Sequence, residues 1–380
     1  MKTHAPLLFI GLLLTVPLFP QETDAKLFSA RLIAAEEEAF PDVQRSASQT
    51  SNVAADKDED LSESTAKLSK LADFYRQRGL YSNAESIIKN LLETRESVVG
   101  ADNPEIAEYL NNLAWLYTEQ GRYGEAEPLY LRALSIMEKA RGPGHPDFAT
   151  ELNNLAGLYR SQGKYTQAES LYERAREIWE KALGPQHPNV AVALANLGGL
   201  YSIQRKYGQA ELLTRRALEI SEKAFGLDHP NVTATVNNLA WLFTKQNKYS
   251  EAEGLYKRVL DIWEKQLGPS HPDLAIVLNN LAEVYRAEHD YAQAEPLYLR
   301  SLAIRENFLG LNHPDVATSL RNLAELYRDQ NRYDEAQPLY ERALAILEKV
   351  FGPDYPEVAG VRASYASLLT ESARHLANVR

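Results

Sequence analysis

Apolar residues recur along this chain at helical spacing, and the helical pattern itself recurs every 42 residues. Leu68, Leu71, Ala72 and Tyr75 return as Leu110, Leu113, Ala114 and Tyr117, and again as Leu152, Leu155, Ala156 and Tyr159. Steps of three, one and three mark one face of a helix, here termed helix A. A second apolar set, Leu129, Ala133, Leu134 and Ile136, marks a helix B before the next boundary. The turn between them reads Gln120-Gly121-Arg122-Tyr123 in one copy and Gln162-Gly163-Lys164-Tyr165 in the next, with a glycine suited to the left-handed conformation that ends helices. Helix B is expected to open with a capping box, because Ser82 to Glu85, Thr166 to Glu169, Ser250 to Glu253 and Asp334 to Gln337 place an oxygen acceptor three residues before a carboxylate or amide. Pro128, Pro296 and Pro338 fall in that first turn, where a missing N–H does no harm.

The boundaries keep the same register. Gly100, Gly142, Gly184, Gly226, Gly268, Gly310 and Gly352 superpose, and Pro104, Pro146, Pro188, Pro230, Pro272, Pro314 and Pro356 each follow four residues later. A period of about 20–50 residues is the signature of stacked repeats, which grow by adding units. The reading is one elongated all-α domain of seven repeats over 61–354 (61–102, 103–144, 145–186, 187–228, 229–270, 271–312 and 313–354), closed by a capping helix over 355–380. The last helix carries Glu371, Arg374 and His375 in place of a further turn, as an open end facing water requires.

The joining sequence Gly-x-x-His-Pro-[Asp/Asn] puts proline at the first helical position, with an acid or amide at the positive helix end. Five of the eight histidines lie here: His145, His187, His229, His271 and His313. One per stacked unit spaces them by about the 10 Å of packed helices, too far for shared metal coordination. The column is read as turn structure, and no metal is expected.

Charge and composition narrow the function. With 44% apolar and 24% charged residues the repeats are those of a soluble protein, and the net charge of −11 argues against a nucleic-acid partner. No cysteine is present, which excludes disulfides, thiolate metal sites and a cysteine nucleophile. The first 25 residues differ: Lys2 and His4 precede an apolar run from Leu7 to Phe19, too short for the about 20 residues of a membrane helix. Residues 1–25 read as a signal peptide with Thr23-Asp24-Ala25 as candidate cleavage site. Export to a periplasm or medium is expected, or a cytoplasmic place if the segment is no signal; an uncleaved segment would be the sole membrane contact. Residues 26–60, with four basic and eight acidic side chains, read as a disordered acidic linker.

Ala114, Tyr117, Ala126, Tyr130 and Ala133 follow the spacing of the tetratricopeptide repeat, in a unit eight residues longer than its usual 34. With Leu-Asn-Asn-Leu-Ala in helix A, Tyr-x-x-Ala-Glu opening helix B, Arg-Ala-Leu-x-Ile in its middle and Leu-Gly-x-x-His-Pro at the join, the chain closely resembles the kinesin light chain type of this repeat over residues 61 to about 370. The resemblance implies a right-handed superhelical solenoid of antiparallel helix pairs, whose helices A line a groove that binds short peptide segments. It implies no motor partner, since the heptad coiled coil of light chains is missing.

If helix A buries Leu110, Leu113, Ala114 and Tyr117, then Asn111, Asn112, Trp115 and Thr118 are left for the other side. Asn112, Asn154, Asn196, Asn238, Asn280 and Asn322 form a uniform column, and beside it stand Asn111, Asn153, Asn237 and Asn279, with Ala195 and Arg321 in the remaining copies. An amide offers a donor and an acceptor, so such a ladder suits a peptide backbone, as asparagines of this motif do in the family it resembles. The uniform column has a second reading, in which it bonds the adjacent helix. Trp115, Trp241, Arg286, Arg321 and Arg328 are the expected anchors, with Glu283 and Glu325 beside the arginines either completing a charged binding stretch or neutralising it. The tyrosine column at Tyr81, Tyr123, Tyr165, Tyr207, Tyr249, Tyr291 and Tyr333 is read as packing, and pairs such as Glu138-Lys139 and Glu264-Lys265 as solvated surface. No phosphate loop, His-Glu-x-x-His or nucleophile elbow occurs. The expectation is a non-catalytic scaffold with a protein or peptide partner, without cofactor or small-molecule substrate; the alternative is an architectural solenoid that assembles through its ends or convex face.

Overall fold

Two kinds of turn cut the chain into helices, and each turn is set by one residue with positive φ. At the end of every helix B a glycine takes φ between 82° and 94°, from Gly100 through Gly142, Gly184, Gly226, Gly268 and Gly310 to Gly352. Its N–H closes on the glutamate carbonyl four residues back, as Gly100 does on Glu96. Between helix A and helix B the left-handed residue is Gly121 or Gly163 in the early copies, and Arg205, Asn247, His289 or Asn331 in the later ones, at φ between 57° and 61°. The turn outlasts its glycine because the chain reverses there whatever the side chain; for a residue with a Cβ this costs about 1–2 kcal/mol.

The computed structural model describes residues 58–77, 80–353 and 356–379. The expected signal peptide and nearly all of the acidic linker lie outside the described residues. A stack in which units touch only their neighbours has no common core, and the chain divides into two compact units at Gln162 and Gly163. Among the described residues the first unit holds α1 (Asp58–Gln77), α2 (Tyr81–Val99), α3 (Ile106–Glu119), α4 (Tyr123–Arg141) and α5 (Pro146–Ser161). The second holds α6 (Tyr165–Leu183), α7 (Pro188–Ile203), α8 (Tyr207–Phe225), α9 (Pro230–Lys245), α10 (Tyr249–Leu267), α11 (Leu274–Ala287), α12 (Tyr291–Leu309), α13 (Pro314–Asp329), α14 (Tyr333–Phe351) and α15 (Pro356–Val379). Among the described residues the fold is all-α, with 15 helices that pack as sequential pairs within each unit, odd numbers being helices A and even numbers helices B. None of the described helices is long and apolar enough to cross a membrane.

Helices A start on the histidine column. His145, His187, His229 and His313 sit at the N-cap, and Nδ1 of each accepts the N–H two residues on at 3.1–3.2 Å. This is the turn role, performed by an imidazole where a serine or aspartate usually stands. Helices B start differently from expectation. The helix opens at the tyrosine, so Ser82, Thr166 and Ser250 lie inside it, and no side chain caps α2, α6 or α10. Asp290 alone among the described helix B caps accepts a helix N–H, from Gln293.

The carboxylates assigned to those capping boxes, Glu85, Glu169 and Glu253, have long-range partners instead, and so do Glu127 and Glu295 of the same column. Tyr117 donates its hydroxyl to Glu85, Tyr159 to Glu127, Tyr201 to Glu169, Tyr285 to Glu253 and Tyr327 to Glu295, at 2.8–3.1 Å. Each bond joins a helix B to the helix A of the next copy, 32 residues on. Where Phe243 interrupts the tyrosines, Gln246 and Lys248 serve Glu211 in their place. A second seam lies near the loops. Arg132, Arg258, Arg300 and Arg342 each bridge the glutamate at the end of the preceding helix B and a carbonyl of the loop after it, as Arg300 does to Glu264 and Pro269. Glu264 is therefore a seam residue rather than solvated surface, while its neighbour Lys265 only pairs with exposed Asp261.

Small residues let the two helices of a pair approach. Ala114, Ala240, Ala282 and Ala324 are fully covered, and so nearly are the rings of Tyr130, Tyr256, Tyr298 and Tyr340 on the paired helices B. The pair α7 and α8 departs from this, with Gly198 in the alanine column and Thr214 in the tyrosine column. In α15, Val358, Val361 and Leu368 are buried and Leu369 is exposed.

Candidate functional site

With one stripe of each helix A spent on helices B, the stripe on its far side carries the positions that the sequence nominated. In the first unit this stripe belongs to α1, α3 and α5. Asn112 is exposed, Asn111, Trp115 and Asn154 are half-buried, and Asn153 is buried. The Arg76 guanidinium lies 4.7 Å from the centre of the Trp115 ring and pairs with Asp73 at 2.9 Å. Burial pushes Arg76 below its usual range and pushes Glu119 above it, the latter against the pull of Arg160 and Arg76. Glu108 is also raised, by burial first and then by Glu105 and Asp73.

In the second unit the stripe runs over α7, α9, α11 and α13. Trp241 is half-buried, with the Lys245 ammonium 5.3 Å above its ring and Tyr207 edge-on at 6.5 Å. The arginines expected as anchors are mostly engaged. Arg286 bonds Glu283 at 3.1 Å and Asp329 at 2.8 Å, and Arg328 meets Glu325 at 3.0 Å and Glu371 at 3.2 Å. Of the two readings for this charged stretch, self-neutralisation describes those two residues. Arg321 is half-buried and, among the described residues, has no charged partner.

The asparagines divide by exposure. Asn153, Asn196, Asn237, Asn238 and Asn280 are all buried, Asn237 with 1% and Asn238 with 9% of its surface exposed. Asn279 and Asn322 are half-buried and bond each other, Asn322 Nδ2 donating to Asn279 Oδ1 at 2.9 Å. The first column of one hairpin thus meets the second column of the next, 43 residues on. Asn237 Oδ1 and Asn280 Nδ2 stand at the same spacing, and both are covered without a hydrogen-bond partner. Asn111 turns its amide to Glu151 instead, at 3.0 Å. The five buried amides, Asn153, Asn196, Asn237, Asn238 and Asn280, are covered as placed. The open positions are Asn112 and the half-buried Asn111, Asn154, Asn279, Asn322, Trp115, Trp241 and Arg321.

Several contributors to this face escaped the sequence reading. Asp73, Arg76, Glu108 and Glu119 were signalled only by being polar at face positions. Glu151 had a clearer mark, being the one carboxylate in a column otherwise filled by Tyr109, Ala193, Thr235, Val277 and Ser319. Among the described residues no group of three His, Cys, Asp or Glu side chains is placed to hold a metal ion.

Comparison with known proteins agrees with this architecture. The tetratricopeptide repeat model matches residues 63–139, 147–223, 213–265, 251–307, 273–349 and 315–377. No curated protein matches the chain. Among solved structures it is similar to BtubC (BKLC) from P. vanneervenii, at 27% identity over 63% of this chain and 90% of that one, with a TM-score of 0.47. A Podosopora anserina protein of nearly identical, kinesin light chain TPR-like repeats is 28% identical over 55% of this chain and 98% of its own, with a TM-score of 0.47. The apo form of RapI shares the fold at 19% identity, covering 75% of this chain and 98% of that one with a TM-score of 0.54. The repeat model spans well over half of the chain, and the protein belongs to the tetratricopeptide repeat family.

Proposed function

We propose that this repeat scaffold is a non-catalytic docking protein that holds an extended peptide segment of a partner along the far stripe of helices A. What carries the reading is the fate of its polar columns. The histidines cap helices, the Tyr–Glu and Arg–Glu columns close seams, and half of the column asparagines are buried. Trp115, Trp241 and Arg321 are left as accessible groups whose identity changes from copy to copy, which is where specificity for a partner resides, and Asn112 is left as an exposed amide of the uniform column. Tryptophan and arginine are the side chains that dominate binding energy when a partner covers them.

Selection of peptides from a random library on the immobilised full-length protein tests this. Recovered peptides should lose tenfold or more in affinity on Trp241→Ala or Trp115→Ala, with unchanged helicity and unfolding midpoint. Failure to enrich any peptide, or peptides that bind both variants as tightly as the unaltered protein, refutes it. Export remains part of the proposal, supported by the apolar run from Leu7 to Phe19. A reporter fused after residue 30 and retained inside the cell removes that part alone.

A further inference from the structure

One buried carboxyl takes no part in either the Tyr–Glu or the Arg–Glu seam. Glu151 on α5 has only 3% of its surface exposed. Its Oε1 accepts from Asn111 Nδ2 on α3, while Glu151 Oε2 and Asn111 Oδ1 are both covered and both without a partner. A carboxylate can only accept, so in its ionised form neither orphan could serve the other. A neutral carboxylic acid has one donor and one acceptor, the complement of a primary amide. We propose that Glu151 and Asn111 form a pH-sensitive latch: the neutral acid donates from Oε2 to Asn111 Oδ1 beside the existing bond, and ionisation removes that second bond and loosens α5 from α3.

The charges around the pair favour the neutral form. On α3 the ionisable positions before Asn111 are Tyr109 and, one turn back, Glu108; both are acids, and neither supplies a positive charge. On α5 it is Asp147, which Arg141 of α4 meets at 3.8 Å. On α4 the position across from Glu151 is Met137, by the 14-residue spacing that in the second unit places Arg305 Nη1 on Ser319 Oγ. No cation stands where that spacing would put one. An unpaired charge buried there would be costly, and a buried acid avoids the cost by keeping its proton. Burial accordingly pushes the Glu151 carboxyl up to about 8, against the bond from Asn111 and with the help of Asp147.

The sign follows from linkage. The folded carboxyl holds its proton more tightly than the unfolded one, so stability is greatest below the ordinary value of 4.5, falls as pH rises towards about 8, and levels off above it. Hydrogen exchange of the full chain at pH 6 and pH 9, compared with Glu151→Gln at each pH, measures this. Glutamine keeps both bonds at any pH, so amides of α3 and α5 should lose protection relative to the variant by on the order of tenfold to a hundredfold over that interval. The infrared band of a protonated carboxyl at pH 7 should vanish in Glu151→Gln. Met137→Arg supplies the missing cation and should abolish both signals by favouring the carboxylate. Equal pH dependence in wild type and Glu151→Gln, or no difference band, overturns the latch.

Discussion

Gly198 is the position at which a single added methyl group has a calculable effect. It occupies the alanine column of α7, and a Cβ built on it would lie 2.6 Å from Thr214 Oγ1, 3.3 Å from the Ala210 carbonyl oxygen and 3.6 Å from the Thr214 nitrogen. Thr214 is almost wholly covered and cannot swing into solvent. Two terms oppose each other in Gly198→Ala. Alanine is the better helix former by about 1 kcal/mol in a helix interior, while overfilling a packed helix crossing costs about 1–3 kcal/mol. The overlap with Oγ1 is deep enough for the second term to win, giving a net loss of up to about 2 kcal/mol. Removing the obstacle should change the sign: in a Thr214→Ala background the same substitution is expected to be neutral or stabilising by up to about 1 kcal/mol, limited by the backbone oxygen of Ala210. Urea unfolding of the four proteins of this double-mutant cycle gives the coupling directly, at about 1–3 kcal/mol for residues in contact. If Gly198→Ala stabilises the unaltered protein, or has the same effect in both backgrounds, then α7 and α8 are not pressed together at this point and the packing argument fails.

Three further substitutions probe the seams. Tyr327→Phe removes the hydroxyl that Glu295 accepts but leaves Arg332 on that carboxylate, so denaturant unfolding should show a loss of about 1 kcal/mol. Asn322→Ala strips Asn279 Oδ1 of its donor between α11 and α13, at a cost of about 1 kcal/mol in the same assay; no change would mean that the amide pair contributes nothing to the seam. Burial pushes Glu211 up, but Lys248, Gln246 and Arg215 outweigh it and hold the carboxyl at about 2. Its contribution is present above the ordinary value of 4.5 and is lost as pH falls towards 2. Glu211→Gln should therefore destabilise at pH 7 by about 1–2 kcal/mol after allowance for solvent screening, with the difference shrinking by pH 3.

The helix pairs were legible because their cause is local. A 3.6-residue apolar stripe, a glycine that must turn left-handed and a proline that can only stand first in a helix declare themselves within a few positions. What the sequence concealed had partners about one repeat away. Ser82 to Glu85 has the spacing of a capping box, yet Glu85 accepts from Tyr117 and Arg122 of the next copy, and no cap forms on α2. Glu264 beside Lys265 looks like ordinary surface until Arg300 closes on it. The asparagine columns show the same limit, since periodicity reveals the columns of Asn237 and Asn280 without revealing that both side chains are buried.

A residue repeated without change in every unit needs a partner repeated without change, and in a stack the only such partner is the next unit. The tyrosine, glutamate and arginine columns, nearly unchanged from copy to copy, therefore bind the chain to itself, and Asn322 of the uniform asparagine column does the same through Asn279. A ligand lying along the helices presents a different side chain to each copy, so its contacts belong to columns that vary. The column Trp115, Gly157, Gly199, Trp241, Glu283 and Glu325 varies most plainly. Its glutamates are held by arginines, and its glycines offer the backbone alone. The two tryptophans, each half-buried under a cation of its own chain, are then the points where a partner's side chain would gain most by displacing Arg76 or Lys245 from the ring.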